Sequence, residues 1–279
     1  MLYGGRDSGG YLSDTWEWSG STWTQRNVSG PGARSQAGAG PLSGRVVLFG
    51  GLGGTNAAGF GDTWEWDGTS WTQRNVSGPS ARWATGVAPL DGKLVLFGGF
   101  DGRDYLDDTW EWDGNAWSKR NVSGPPKRCF HSMTLRAGSV LLFGGQNDSG
   151  ILGDTWEWDG SSWTERRPST APTGRNCAAV AALGDKAVLF GGSIAGKVYS
   201  DTWQWDGSAW TERNVTGASA RTCAQAAAFN DKVVLFGGNS LQGSKFVYFS
   251  DTWEWDGNAW SQSAASGPSA RTDATMAAR

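Results

Sequence analysis

The chain has 279 residues, a net charge of −3 and 18% charged residues, so it carries no basic footprint for nucleic acid. No run of about 18 apolar residues is present to span a membrane. The 43 glycines follow no every-third-residue pattern, which excludes collagen, and three unevenly spaced cysteines make no disulfide framework.

The chain opens at Met1-Leu2-Tyr3-Gly4-Gly5, already inside a repeat, with no signal peptide ahead of it, and the compartment stays open. The motif Asp-Thr-Trp-Glu-Trp then begins at Asp14, Asp62, Asp108, Asp154 and Asp251, with Gln204 replacing Glu in the copy at Asp201. The steps are 48, 46, 46, 47 and 50 residues, the signature of a repeat architecture covering the whole chain as one domain, 1–279. Each repeat holds three of the 19 Trp, and Trp83 is the odd one.

Taken in order, the unit from Arg82 predicts four short strands, A to D. Strand A runs from Arg82 to Leu90, and Asp91-Gly92 turns the chain. Strand B is Lys93 to Phe97, closed by Gly98-Gly99. A variable loop follows, Phe100 to Asp107. Strand C is Thr109 to Trp112, and after the turn at Asp113-Gly114-Asn115-Ala116 strand D is Trp117 to Val122. Asp-Gly turns supply the positive φ that tight hairpins need. Alternation along strand C sends Trp110 and Trp112 to one face and Glu111 to the other, with Trp117 joining the Trp face. A neighbouring sheet is expected to cover the indoles, each worth roughly 4–6 kcal/mol gross from about 200 Å² of burial. Glu111 and Arg120, like Glu157 and Arg166, are expected to pair on the opposite face. The Gly-Gly pairs are expected to leave room for an indole.

An Arg-led strand A, a strand B ending in Gly-Gly, a variable loop, an aromatic strand C and a Trp opening strand D resemble the kelch repeat. The pairs are Gly4-Gly5, Gly50-Gly51, Gly98-Gly99, Gly144-Gly145, Gly191-Gly192 and Gly237-Gly238; the strand-D residues are Trp23, Trp71, Trp117, Trp163, Trp210 and Trp260. Cys129-Phe130-His131-Ser132 carries the His-Ser common in that family. Six copies imply an all-β, six-bladed propeller of four-stranded antiparallel blades. The last strand A, Arg271 to Arg279, lacks a strand B, and Met1 to Gly5 lacks a strand A, so the two are expected to close the ring within one blade.

The resemblance also implies that strand-A starts, D–A loops and B–C loops share one face and line the mouth of an axial channel. Copies differ most there, in B–C loops from Gln146–Gly153 to Asn239–Ser250 and in Ser35, Gln36, Trp83, Cys129, His131, Asn176, Cys177, Thr222, Cys223, Thr272 and Asp273. Arg34, Arg82, Arg128, Arg175, Arg221 and Arg271 form either an anion-attracting funnel or a set of structural residues bonding the next blade. Cys177 and Cys223 hold equivalent positions on adjacent blades. Cys129 with His131 is a candidate thiolate–imidazole pair, but no local metal motif is present and free Cys is commonly a small buried hydrophobe. The family includes galactose oxidase, whose copper needs two His and two Tyr; a single His excludes that chemistry here. Asn-x-Ser/Thr occurs at Asn27, Asn75, Asn121, Asn147 and Asn214, four of them at one repeat position, which favours a structural origin. Asp101, Asp104, Asp107 and Asp108 lack calcium-loop spacing.

The resulting expectation is a non-catalytic binding or structural propeller, a monomer without cofactor or metal. Its mouth takes a small polar or anionic ligand or an acidic peptide through the six Arg, Trp83, His131 and Asp273. The alternative is an enzyme acting on an anionic sugar, as in sialic-acid epimerases, using His131, Cys129 and Arg128.

Overall fold

The computed structural model describes residues 1–54, 58–243 and 245–279. The third repeat forms an antiparallel sheet of Gly86–Leu90, Lys93–Phe100, Tyr105–Trp112 and Trp117–Arg120, strands A to D from the axis outward. Asp91 and Gly92 both take positive φ at its A–B turn. Six such sheets stand in a ring, and no helix occurs among the described residues. The inner strands are Thr275–Met276, Gly38–Leu42, Gly86–Leu90, Ser132–Arg136, Ala179–Leu183 and Gln225–Phe229 for blades one to six. Each packs against the inner strands beside it, and Thr275–Met276 closes the circle between Gln225–Phe229 and Gly38–Leu42. Blade one is built from both ends of the chain: Leu2 pairs with Met276, Tyr3 with Thr275, and Arg6 bridges to Thr272.

The repeated motif holds blades to one another. The strand-D indoles of blades two, three and four donate to Thr15, Thr63 and Thr109 of the preceding blade at 2.9, 2.9 and 3.0 Å. Trp210, Trp260 and Trp23 do the same to Thr155, Thr202 and Thr252. The same indoles meet the preceding blade's strand-B ring edge-on, from Tyr3–Trp71 to Phe236–Trp23, at 5.2–5.4 Å between centroids. Within a blade, Trp112 lies opposite Trp117 in register, and both are buried.

Two local expectations are corrected, and a third feature goes beyond them. First, the B–C segment is not all loop. In blade three the ladder continues past a bulge at the Gly pair, with Gly99 opposite Leu106 and Phe100 opposite Tyr105. In blades four to six it folds into separate ribbons, the longest being Asn239–Gln242 with Lys245–Tyr248; Ser244, within that segment, lies outside the described residues.

Second, the Gly-Gly pairs make room for backbone, not for an indole. Both glycines hold positive φ, and a Cβ on Gly50 or Gly144 would stand 2.5 Å from the carbonyl oxygen of Arg82 or Arg175 in the next blade. The glycine that accommodates the indole is in the D–A connection: a Cβ on Gly78 or Gly124 would meet Trp117 or Trp163 at 2.6 Å.

Third, the Glu face is buried too, because every sheet is stacked between two others. Glu65, Glu111 and Glu157 are about 5% exposed. The expected cross-strand pairs do form, Arg120 with Glu111 at 3.4 Å and Arg166 with Glu157 at 2.8 Å.

Candidate functional site

The Arg ahead of each inner strand is 0–2% exposed. Its guanidinium grips the Asp that opens strand C of its own blade with two parallel bonds: Arg34–Asp62, Arg82–Asp108, Arg128–Asp154, Arg175–Asp201, Arg221–Asp251 and Arg271–Asp14, the shorter ones 2.5–2.7 Å. The same group donates to the first Gly carbonyl of the Gly-Gly pair and to the carbonyl two residues upstream, as in Arg82 to Gly98 at 3.1 Å and to Ser80 at 3.0 Å. Aromatic rings cover three guanidiniums, Phe60 over Arg34, Tyr199 over Arg175 and Phe249 over Arg221, at 4.0–4.1 Å. The side chain therefore locks its own blade, while the Arg backbone makes the inter-blade contact: the Arg82 N–H reaches Phe60 O, and its carbonyl accepts from Gly51.

Each of these carboxylates also accepts the first strand-C indole, as in Trp110 to Asp108 at 2.7 Å. Burial pushes the carboxyl groups of Asp14, Asp62, Asp108, Asp154 and Asp251 up, and the hydrogen bonds and charge of the paired Arg outweigh it, leaving each below the usual carboxylate range. Six positive charges thus ring the mouth, each with a carboxylate on it. An anion reaching them would compete with an aspartate already in place.

Two residues past each Arg the backbone turns left-handed, with φ of 52–57° at Gln36, Ala84, Phe130, Cys177, Cys223 and Asp273. These six residues form a closed circle of hydrogen bonds. Ala84 N–H donates to Gln36, Phe130 to Ala84, Cys177 to Phe130, Cys223 to Cys177, Asp273 to Cys223, and Gln36 to Asp273, at 2.8–3.1 Å. The circle caps an axial channel of about 350 Å³ lined by the inner strands. Its side chains break the six-fold symmetry, and the Sγ atoms of Cys177 and Cys223 and a carboxylate oxygen of Asp273 lie within 4.8 Å of one another. The offset of two from Arg175, Arg221 and Arg271 was the sequence signal for this convergence.

The other candidates separate. Cys129 is buried, and desolvation first, with the neighbouring Cys177 second, pushes its thiol up to about 12. His131 lines the channel 8% exposed, its ring edge-on to Phe97 at 5.6 Å, and neither ring nitrogen has a partner among the described residues. No hydrogen bond joins it to Cys129. Trp83 is half-buried on blade three, edge-on to Phe100, which packs against Tyr105. Burial pushes the Asp273 carboxyl up. Asp101 caps its own turn through the Arg103 and Asp104 N–H groups, and Asp108 holds Arg82, so the four acidic residues of that loop do not converge. Asn27, Asn75, Asn121 and Asn214 are exposed and Asn147 is half-buried.

Sequence reasoning singled out Gln36 and Thr272 as positions that break the repeat, but missed Asn239 and the run of buried acceptors they form on three consecutive blades. Asn239 Oδ1, Thr272 Oγ1 and Gln36 Oε1, on blades six, one and two, have no partner among the described residues. Beside them the blade-six ribbon exposes Leu241 by 42% and Phe246 by 64%.

A family model, the KLHDC2/KLHL20/DRC7 Kelch-repeats domain, matches residues 68–238 and, in a second alignment, 113–279. No curated protein matches the chain.

Proposed function

Because the chain belongs to the kelch-repeat family, we propose that it is a non-catalytic binding propeller that takes an extended peptide across the channel mouth, on blades six, one and two. The observation that carries this reading is the run of unpaired acceptors, Asn239 Oδ1, Thr272 Oγ1 and Gln36 Oε1. A buried polar atom without a partner costs about 1–3 kcal/mol, and a ligand supplying N–H groups recovers it. Peptide backbone and side-chain amides are such donors, and Leu241 and Phe246 offer an apolar edge beside them. In this reading Trp83, His131 and Asp273 belong to the mouth that meets the ligand. The six Arg hold its shape, since their charge is spent on aspartates. Attraction is therefore by hydrogen bonding and apolar contact more than by net charge.

The test is selection from a displayed random-peptide library, followed by calorimetric titration of the enriched peptides. Asn239→Ala and Phe246→Ala should each weaken binding about tenfold, a change of about 1.4 kcal/mol. Lys186→Ala, exposed at an A–B turn on the opposite face, should leave it unchanged. Enrichment of no peptide, or loss of binding through Lys186 instead, overturns the reading.

A further inference from the structure

Three of the six repeats place a residue that is not a ligating Cys or carboxylate two positions after the Arg: Gln36, Ala84 and Phe130. The three remaining blades place Cys177, Cys223 and Asp273 there, consecutively in the ring. All three adopt the same left-handed backbone, with φ of 52°, 53° and 53°. The donor atoms gather within 4.8 Å of one another, the only such cluster of ligating side chains among the described residues. All three cysteines are free thiols.

We propose that Cys177, Cys223 and Asp273 bind a zinc ion at the mouth of the channel. Two thiolates and one carboxylate match the borderline-soft preference of Zn²⁺. With Zn–S near 2.3 Å and Zn–O near 2.1 Å, a tetrahedral site needs ligand atoms about 3.5–3.8 Å apart, a spacing inside the 4.8 Å that bounds the cluster. The fourth position faces the channel. A water completes the tetrahedron, which leaves Gln36 Oε1, on the next residue of the circle, to the peptide. Cys129 is outside the cluster.

The ion has a structural consequence. Its ligands come from the segments leading into blades five, six and one, and Asp273 belongs to the chain end that closes the ring. Zinc therefore anchors the C-terminal segment to blades five and six, and because the three ligands meet only when these blades are stacked it favours the folded state.

The experiment uses the full chain, reduced and freed of metal. Zn²⁺ is titrated in competition with a chromophoric chelator, and Co²⁺ is titrated by absorbance. One equivalent of Zn²⁺ is expected, tight enough to compete, with thiolate-to-cobalt charge-transfer and tetrahedral ligand-field bands for Co²⁺ and a raised melting temperature. Cys177→Ala and Cys223→Ala should each weaken Zn²⁺ about a hundredfold, and Asp273→Ala about tenfold, while Cys129→Ala keeps wild-type affinity. These variants retain a residue type the ring already accepts, because Ala84 holds the same position with φ of 52°. Failure of the wild type to bind Zn²⁺, wild-type affinity in Cys177→Ala, dependence on Cys129 instead, or a Cys177–Cys223 disulfide that persists under reductant each overturns the proposal.

Discussion

Arg271 and Asp14 are joined by two hydrogen bonds across 257 residues of sequence, the longer of them 2.8 Å. The same pair recurs in every blade, but only here does it link the two ends of the chain. Its Arg is 1% and its Asp 20% exposed, so Arg271→Ala strands a half-buried carboxylate that keeps only the Trp16 indole as a side-chain donor. The expected cost is about 3–5 kcal/mol. Arg26→Ala removes a pair whose Arg is 42% exposed and should cost under about 1 kcal/mol. Deleting residues 271–279 should go further, baring the edge of Leu2–Asp7 and causing aggregation. Urea unfolding and light scattering decide; equal costs for the two Arg variants would mean that the buried pairs carry no special weight.

Trp112 is fully buried, and Trp112→Ala should cost about 3–5 kcal/mol. Glu111→Ala should cost about 1 kcal/mol or less, since its partners Lys93 and Arg120 are 44% and 35% exposed and can turn to water. Glu157 also accepts the Trp205 indole at 2.9 Å in a buried bond to the next blade. Glu157→Ala should therefore exceed Glu111→Ala by about 1–2 kcal/mol, which chemical denaturation can resolve.

Burial, and second the charge of Arg128, lower the His131 pKa from 6.5 to about 3; Asp154, which pairs with Arg128, acts the other way. The folded state then refuses a proton that the unfolded state takes up below pH 6.5. Stability is full above that value and falls as pH drops toward 3, by about 2–3 kcal/mol between pH 6.5 and about pH 4.5. His131→Ala should flatten this window. The Arg-paired carboxylates, held below 3.8, contribute their own loss only at lower pH. Melting curves against pH for both proteins test it, and an unchanged slope in the variant would remove His131 as the cause.

Gly144→Ala should destabilise by more than about 2 kcal/mol, combining a φ of 67° with a Cβ 2.5 Å from the Arg175 carbonyl oxygen. Gly138→Ala, with φ of 81° and nothing within 4 Å, should cost only about 1 kcal/mol. Similar melting temperatures for the two would place the cost in backbone conformation alone and not in blade contact.

The sequence by itself determined the propeller. A fixed period, Asp-Gly turns and strand alternation are local signals, and the incomplete end repeats already required Met1–Gly5 to meet Arg271–Arg279. It also put Trp112 and Trp117 on one face, because pleat geometry is local. Only the tertiary structure decided what that face and its opposite meet. Alternation places Glu111 opposite the indoles, and it is buried because sheets stack on both sides. Gly50 reads as space for an indole, yet lies against the next blade's Arg82 carbonyl. The six Arg read either as an anion funnel or as structural residues, because their partners, 26 to 30 residues downstream and in Arg271 at the far end of the chain, become neighbours only when the blade closes. Cys177, Cys223 and Asp273 stood at one offset in the sequence, but it takes the stacking of successive blades to bring side chains separated by 46 and 50 residues within 4.8 Å of one another.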